Sequence, residues 1–267
     1  MTSDILQGRR ALVTGGAQGL GAGMAQALAR AGAAVMVGDL REAQGRDMAG
    51  SLRAAGGQAS FVRMDVTQEA DWARATEATI AELGGFDILV NNAGIEITAL
   101  VSEVEADSLR RMFDVNVVGT LLGMKHAFRA MRPGGAAGKG GAIVNISSVA
   151  ATIAFPAIAG YSATKSAVDR ATRVAAMESG KLGYGVRVNC VYPGLVPTEM
   201  GLQLAADVVA AGLFASPEEA VGSIVGQTPL GRLGEVAHMA DAVVFLCSDA
   251  ARFITGAGLP VDGGMGM

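Results

Sequence analysis

A tyrosine and a lysine four residues apart, Tyr161 and Lys165, are the first residues of this chain whose types and spacing could do chemistry. The i,i+4 separation puts both side chains on one face of a helix. A phenol ordinarily titrates near pH ~10, so it is a poor base at neutrality until a cation beside it favours the phenolate. Such a pair can take the hydroxyl proton of an alcohol, or return it to a ketone, provided a hydride carrier lies alongside. Neither Tyr184 nor Tyr192 has a lysine at that distance. Tyr161 also follows an apolar run ending in Ser147 and Ser148. On chemistry alone, either hydroxyl could hold a substrate oxygen and stabilise the charge that develops on it.

The hydride carrier has its own candidate residues. Thr14-Gly15-Gly16-Ala17-Gln18-Gly19-Leu20-Gly21 follows one β-type run and opens a helical one. Glycines there allow a pyrophosphate to approach the backbone, and the helix start presents free N–H groups to it. Gly15, Gln18, Gly19, Leu20 and Gly21 are therefore candidate cofactor contacts, although the spacing is G-x-x-x-G-x-G rather than G-x-G-x-x-G. Asp39 closes the next β-type run. A carboxylate there accepts hydrogen bonds from both adenosine ribose hydroxyls and repels a 2′-phosphate, which selects NAD over NADP. Arg41 stands near enough to weaken that selection but reads as a solvated helix-start residue.

These residues need a scaffold. Short β-branched runs at 11–14, 34–39, 59–63, 88–91, 142–147, 186–191 and 259–261 alternate with helix-period segments at 20–31, 68–83, 108–131, 161–182 and 235–246. Near-continuous apolar strands separated by helices indicate a parallel sheet covered on both faces. The expected fold is α/β: a single doubly wound Rossmann domain over residues 1–267, with about seven strands flanked by helices. The hydrophobic fraction of 51% against 17% charged residues excludes a disordered chain and supports one large core. Residues 194–230 leave the carboxyl end of a strand and carry an apolar set from Met200 to Phe214, so they are expected to cover the substrate. The glycine-rich segment 133–141 enters its strand from the opposite end and reads as a surface loop.

Taken together the motifs resemble the short-chain dehydrogenase/reductase family over nearly the whole chain, from Arg10 to Val261-Asp262-Gly263-Gly264. The TGxxxGxG spacing, Asp65-Val66, Asn91-Asn92-Ala93-Gly94 and Pro193-Gly194 with Val196 and Thr198 occur in the family's order. The resemblance implies that Asp65 and Val66 meet the adenine, and adds Asn92, Ala93, Gly94, Tyr161, Lys165, Pro193, Gly194, Val196 and Thr198 to the NAD contacts. It selects Ser148 over Ser147 by its spacing from the tyrosine. It also implies that Asn116, Ser148, Tyr161 and Lys165 are the catalytic set. Asn116 lies within a long apolar helix, where it needs partners; a water bridging it to Lys165 would let the proton leave.

The chain looks most like dehydrogenases of cyclic and steroid-like secondary alcohols, and the apolar stretch from Val149 to Pro156 agrees with a hydrophobic alcohol or ketone substrate. An acyl-carrier ketoreductase and a catalytically silent NAD sensor are the alternatives. Glu96 reads as a solvent-facing loop carboxylate, with contact to a polar substrate group as the other reading. The resemblance also implies a homo-oligomer, a tetramer, with 108–131 and 161–182 as interface helices.

The remaining features exclude other classes. With a net charge of −4 and no basic run, a nucleic-acid partner is not expected. His126 and His238 lack ligand-spaced companions, so no metal is expected, and no G-x-S-x-G elbow marks a hydrolase. Cys190 and Cys247 sit in apolar runs and read as buried thiols of a cytoplasmic protein. Residues 1–8 lack the pattern of a signal peptide, and no apolar run is long enough for a membrane span.

Overall fold

The computed structural model describes residues 5–267; residues 1–4, part of the N-terminal segment read for leader features, lie outside it. Its elements run β1 (Arg10–Thr14), α1 (Gly19–Arg30), β2 (Ala34–Asp39), α2 (Glu42–Ala54), β3 (Ala59–Arg63), α3 (Glu69–Leu83), β4 (Ile88–Asn91), α4 (Ala106–Phe113) and α5 (Gly119–Met131). There follow β5 (Gly141–Ile146), α6 (Ala159–Lys181), β6 (Val186–Pro193), α7 (Glu199–Ala210), α8 (Pro217–Gln227), α9 (Val236–Cys247) and β7 (Gly258–Val261). The seven strands form one sheet in the order β3-β2-β1-β4-β5-β6-β7, and every pairing is parallel.

Alternation along the strands builds two cores. Ala11, Val13, Val35, Val37, Ile88, Val90, Val144 and Ile146 point to the side packed by α1 and α9. Leu12, Met36, Leu89, Ile143 and Val188 point to the other, against α3, α5 and α6. A strand buried on both faces has no polar side to show, which is why these segments read as unbroken apolar runs. The sheet order reverses between β1 and β4, so a crevice opens beyond the carboxyl ends of the strands at that point.

Two elements differ from the sequence reading. The single helix expected over 108–131 is α4 and α5 joined by a π-helical turn, Asp114–Val118, which contains Asn116. A π turn inserts a residue into the helical ladder and re-aims the side chains near it. Helix α2 was not singled out, because only Gly45, Ala49 and Leu52 of its thirteen residues are buried. The 133–141 loop does enter β5 at the end away from the crevice. Among the described residues no helix is long and apolar enough to cross a membrane.

Candidate active site

The glycine turn is shaped by backbone needs before any ligand is considered. Gly15 and Gly19 hold φ of 61° and 55°, left-handed values that a side chain would strain. Gln18 gives α1 no side-chain cap and no acid stands in its first turn, so the leading N–H groups remain available to an anion. Gly21 has a different role. A Cβ there would overlap the Gly15 carbonyl oxygen and the Asn92 amide, so Gly21 lets α1 pack onto the turn and does not line the crevice. We expect Gly21→Ala to lower stability by about 1–3 kcal/mol and to weaken NADH binding. Thermal unfolding and fluorescence titration check this, and an unchanged midpoint would contradict it.

Asn92 ties the turn down. Its Nδ2 donates to the carbonyls of Thr14 (3.0 Å) and Gly15 (3.1 Å). The Thr14 hydroxyl accepts from the backbone N–H groups of Asn92 and Ala93 at 3.0 and 3.1 Å. Asp39, only 9% exposed, accepts from the N–H groups of Ala17 (3.0 Å) and Arg41 (2.9 Å), which holds its carboxylate at the crevice rim. The Arg41 guanidinium is engaged by the side-chain amide oxygen of Gln18 and by Glu199 of α7. Gln18 also donates to Glu199 at 2.9 Å.

The crevice has a volume of about 880 Å³. Gly15, Gln18, Gly19, Leu20, Asp39, Asp65, Val66, Asn92, Ala93 and Gly94 line it, together with Ser148, Tyr161, Lys165, Pro193, Gly194, Val196 and Thr198. Of the candidate catalytic and cofactor-binding residues, only Gly21 and Asn116 do not. Its apolar wall includes Ile153, Phe155, Met200, Leu204, Ile224 and Met265. Phe155 stacks on Phe214, with ring centroids 6.3 Å apart. Sequence reasoning named the neighbourhoods of most of these residues, but nothing local pointed to Met265, which reaches the wall through the turn at Asp262. There the carboxylate accepts from the N–H groups of Gly264 and Gly266, each at 2.9 Å.

Tyr161 stands in the first turn of α6, and Lys165 one turn on is buried beside it. The Lys165 Nζ lies 5.5 Å from the phenol ring centroid and donates to the Ile146 carbonyl at 2.8 Å. The two serines separate by partner. Ser147 donates to the Lys165 carbonyl at 2.8 Å, which fastens β5 to α6. Ser148 accepts from the Ala150 N–H at 3.1 Å and acts on the Tyr161 phenol. The hydroxyl that remains for a ligand beside the tyrosine is therefore that of Ser148.

Asn116 is buried and finds its partners within the protein. Its Oδ1 accepts from the Ile95 N–H (2.8 Å), and its Nδ2 donates to the Ile95 carbonyl (2.9 Å) and to the Thr164 hydroxyl (3.0 Å). The side chain is engaged by the loop after β4 and by α6, and so holds the site together. Asn145 plays a similar part unseen in the sequence, linking Asn91 (2.8 Å) to Thr172 (2.9 Å). An Asn inside an otherwise apolar strand was its signal.

Electrostatics also correct the sequence reading. Burial pushes the Tyr161 phenol up to about 12, the Ser148 hydroxyl opposing and the Glu96 carboxylate adding to the rise. Burial likewise pushes the Lys165 ammonium down to about 8. The expected lowering of the tyrosine by its lysine does not figure in the ligand-free protein, where desolvation penalises both charged forms. In the ligand-free protein Tyr161 is a phenol.

Glu96 is half-buried rather than freely exposed. It lines the crevice, and burial raises its carboxyl to about 7, with the Thr98 hydroxyl opposing and Asp207 of α7 adding to the rise. A carboxyl raised in the folded state stabilises fully below its unfolded value and loses that contribution as pH rises through the folded value. Glu96→Gln, which cannot charge, should therefore unfold at a higher temperature than the parent at about pH 8 and at the same temperature at about pH 4. Equal midpoints at both would show that Glu96 has an ordinary carboxyl.

Among the described residues no cluster of His, Cys, Asp and Glu could hold a metal. His238 accepts from the Glu235 N–H at 3.0 Å in the cap of α9. Cys190 and Cys247 are free and buried, each pushed by burial to about 12, which makes them inert.

Comparison with known proteins gives this site a lineage. A family model described as enoyl-(acyl carrier protein) reductase matches residues 15–266. A trans-4-hydroxycyclohexanecarboxylate dehydrogenase of Sinomonas cyclohexanicum is 39% identical over 268 residues, covering 98% of this chain and 94% of the relative. A 3-alpha-(or 20-beta)-hydroxysteroid dehydrogenase of Mycobacterium tuberculosis is 38% identical over 262 residues, covering 98% and 91%. The crystal structure of a short-chain type dehydrogenase/reductase from Mycobacterium marinum superposes with a TM-score of 0.87 at 32% identity, covering 99% of this chain and 97% of that one. With its parallel sheet, its glycine turn and its Ser–Tyr–Lys cluster, this chain belongs to the short-chain dehydrogenase/reductase family of oxidoreductases.

Proposed function

We propose that this protein is an NAD-dependent dehydrogenase of a hydrophobic, cyclic secondary alcohol. The observation that carries the reading is the convergence of Ser148, Tyr161 and Lys165 in one crevice whose far rim holds the Asp39 carboxylate. The two named relatives are dehydrogenases of a hydroxycyclohexanecarboxylate and of hydroxysteroids, which are ring alcohols. The apolar wall suits such a ring, and α7 and α8 of the 194–230 segment supply Met200, Leu204 and Ile224 as its cover.

The crevice fits a dinucleotide. Gly15 and Gly19 keep side chains away from the pyrophosphate, the uncapped start of α1 faces its charge, and Asp39 takes the ribose hydroxyls. Asp65 and Val66 lie at the adenine end; Asn92 to Gly94, Pro193, Gly194, Val196 and Thr198 line the route to the nicotinamide. Arg41 is engaged by Gln18 and Glu199, partners that a 2′-phosphate would have to displace. When bound, the nicotinamide supplies the acceptor for the hydride leaving the alcohol carbon. Ser148 holds the substrate oxygen, and Tyr161 receives its proton as the C–O bond becomes a carbonyl. Lys165, pinned to Ile146, holds a positive charge beside the phenolate that forms. In the reverse direction the Tyr161 phenol donates that proton to the ketone.

Exposed apolar residues, Val118 and Leu121 on the α4–α5 run and Val174 and Met177 on α6, support a homo-oligomer, read as a tetramer. Two inert thiols with no disulfide support a cytoplasmic setting. Light scattering tests the subunit number. The function is tested by nicotinamide absorbance with NAD⁺ or NADP⁺ over cyclohexanols, hydroxysteroids and aryl alcohols. Oxidation of ring alcohols with NAD⁺ is expected. Binding of NADH without oxidation of any alcohol would favour a sensor, and turnover of an acyl thioester with NADPH would favour a ketoreductase.

A further inference from the structure

The loop from Gly94 to Ala99 carries a carboxylate into the crevice and is fastened on both sides of it. On one side, Asn116 clamps both backbone groups of Ile95. On the other, the Ala99 N–H donates to the Ala157 carbonyl at 2.8 Å, in a short parallel bridge to Ile158 just ahead of Tyr161. Ala157 makes that bond with φ of 67°, the only positive φ among the described non-glycine residues. A left-handed alanine stores strain that the surrounding contacts must offset. Glu96 sits between the two anchors, so its position is built as firmly as that of Tyr161.

What Glu96 meets there is incomplete. The Thr98 hydroxyl lies 3.0 Å from each of its oxygens, but one hydroxyl has one proton to give. An ionised carboxylate has about four acceptor sites. No cation among the described residues pairs with it; Asp207 of α7 adds to the rise of its carboxyl, and Arg110, Arg111 and Lys165 also line the crevice. A partly buried acceptor with open sites favours a ligand that donates hydrogen bonds.

We propose that Glu96 is a specificity-determining residue that accepts a hydrogen bond from a second hydroxyl of the substrate, so that the preferred substrate is a ring diol rather than a simple ring alcohol. The inference rests on the dehydrogenase reading above and narrows its substrate. A diol satisfies the open oxygens of Glu96 while its other hydroxyl meets Ser148 and Tyr161. A simple alcohol leaves Glu96 unsatisfied.

The test measures kcat and KM with NAD⁺ for cyclohexanol and the positional isomers of cyclohexanediol, in the parent protein, Glu96→Gln and Glu96→Leu. A hydrogen bond to a charged acceptor contributes about 10- to 100-fold in kcat/KM. The parent should therefore prefer at least one diol over cyclohexanol by about 10-fold or more. Glu96→Leu should abolish that preference, chiefly through KM for the diol, and Glu96→Gln, which still accepts hydrogen bonds, should keep part of it. A diol-to-alcohol ratio equal in the parent and Glu96→Leu overturns the role of Glu96. If the parent oxidises no ring alcohol at all, the dehydrogenase reading falls, and the inference falls with it.

Discussion

Tyr161→Phe is expected to lower kcat by about 10³-fold while leaving NADH affinity within a few-fold of the parent. The substitution removes one oxygen and keeps the ring, so the first turn of α6 has no reason to move. The Thr164 hydroxyl still donates to the backbone carbonyl of residue 161, and Lys165 still donates to Ile146. Only the group that exchanges a proton with the substrate oxygen is lost. The phenol is pushed up to about 12 in the ligand-free protein, chiefly by burial. The oxidative direction therefore needs a positive charge beside it, and it should speed up as pH rises toward the tyrosine's value in the complex. Single-turnover absorbance changes measure the rate. A Phe variant within about ten-fold of the parent would remove Tyr161 from the chemistry.

The second large effect is expected at the other end of the crevice. Asp39→Ser should shift the preference for NAD⁺ over NADP⁺ by about 10²-fold toward NADP⁺. Asp39 is nearly buried and accepts two backbone N–H groups at the rim, so its carboxylate is fixed where the proposed reading sets the ribose 2′ position. Like charges set against each other at a site cost several kcal/mol, and neutralising one partner removes that cost. Serine also loses an acceptor for the ribose, so kcat/KM with NAD⁺ should fall as that with NADP⁺ rises. The ratio of the two kcat/KM values is the readout. A ratio unchanged by the substitution would mean that Asp39 does not select the coenzyme.

How far the site is legible in the sequence depends on how local each feature is. The seven strands could be read because a strand buried on both faces must be apolar along its whole length, as Val35, Met36 and Val37 illustrate. The glycine turn and the Tyr161–Lys165 pair could be read because a turn and one helical step set their geometry over a few residues. Helix α2 escaped because its buried stripe is too thin to impose a period.

The rest was decided by contacts between segments distant in sequence. Ser147 and Ser148 are equivalent as neighbours and differ only once α6 offers its backbone to the first. Asn116 could be identified as a buried polar residue, but its partners on Ile95 and Thr164 depend on the π turn and on how β4 and α6 meet. Gly21, read as a cofactor contact, serves the packing of α1 on Gly15 and Asn92. Glu96 looked like a loop carboxylate until Asn116 on one side and the strained Ala157 on the other held its loop in the crevice. Sequence thus determined which elements form and which chemistry they can carry, since propensity and periodicity act over a few residues. Only the tertiary structure decided which polar groups are satisfied, which are buried and how they titrate, because those depend on what the fold brings from elsewhere.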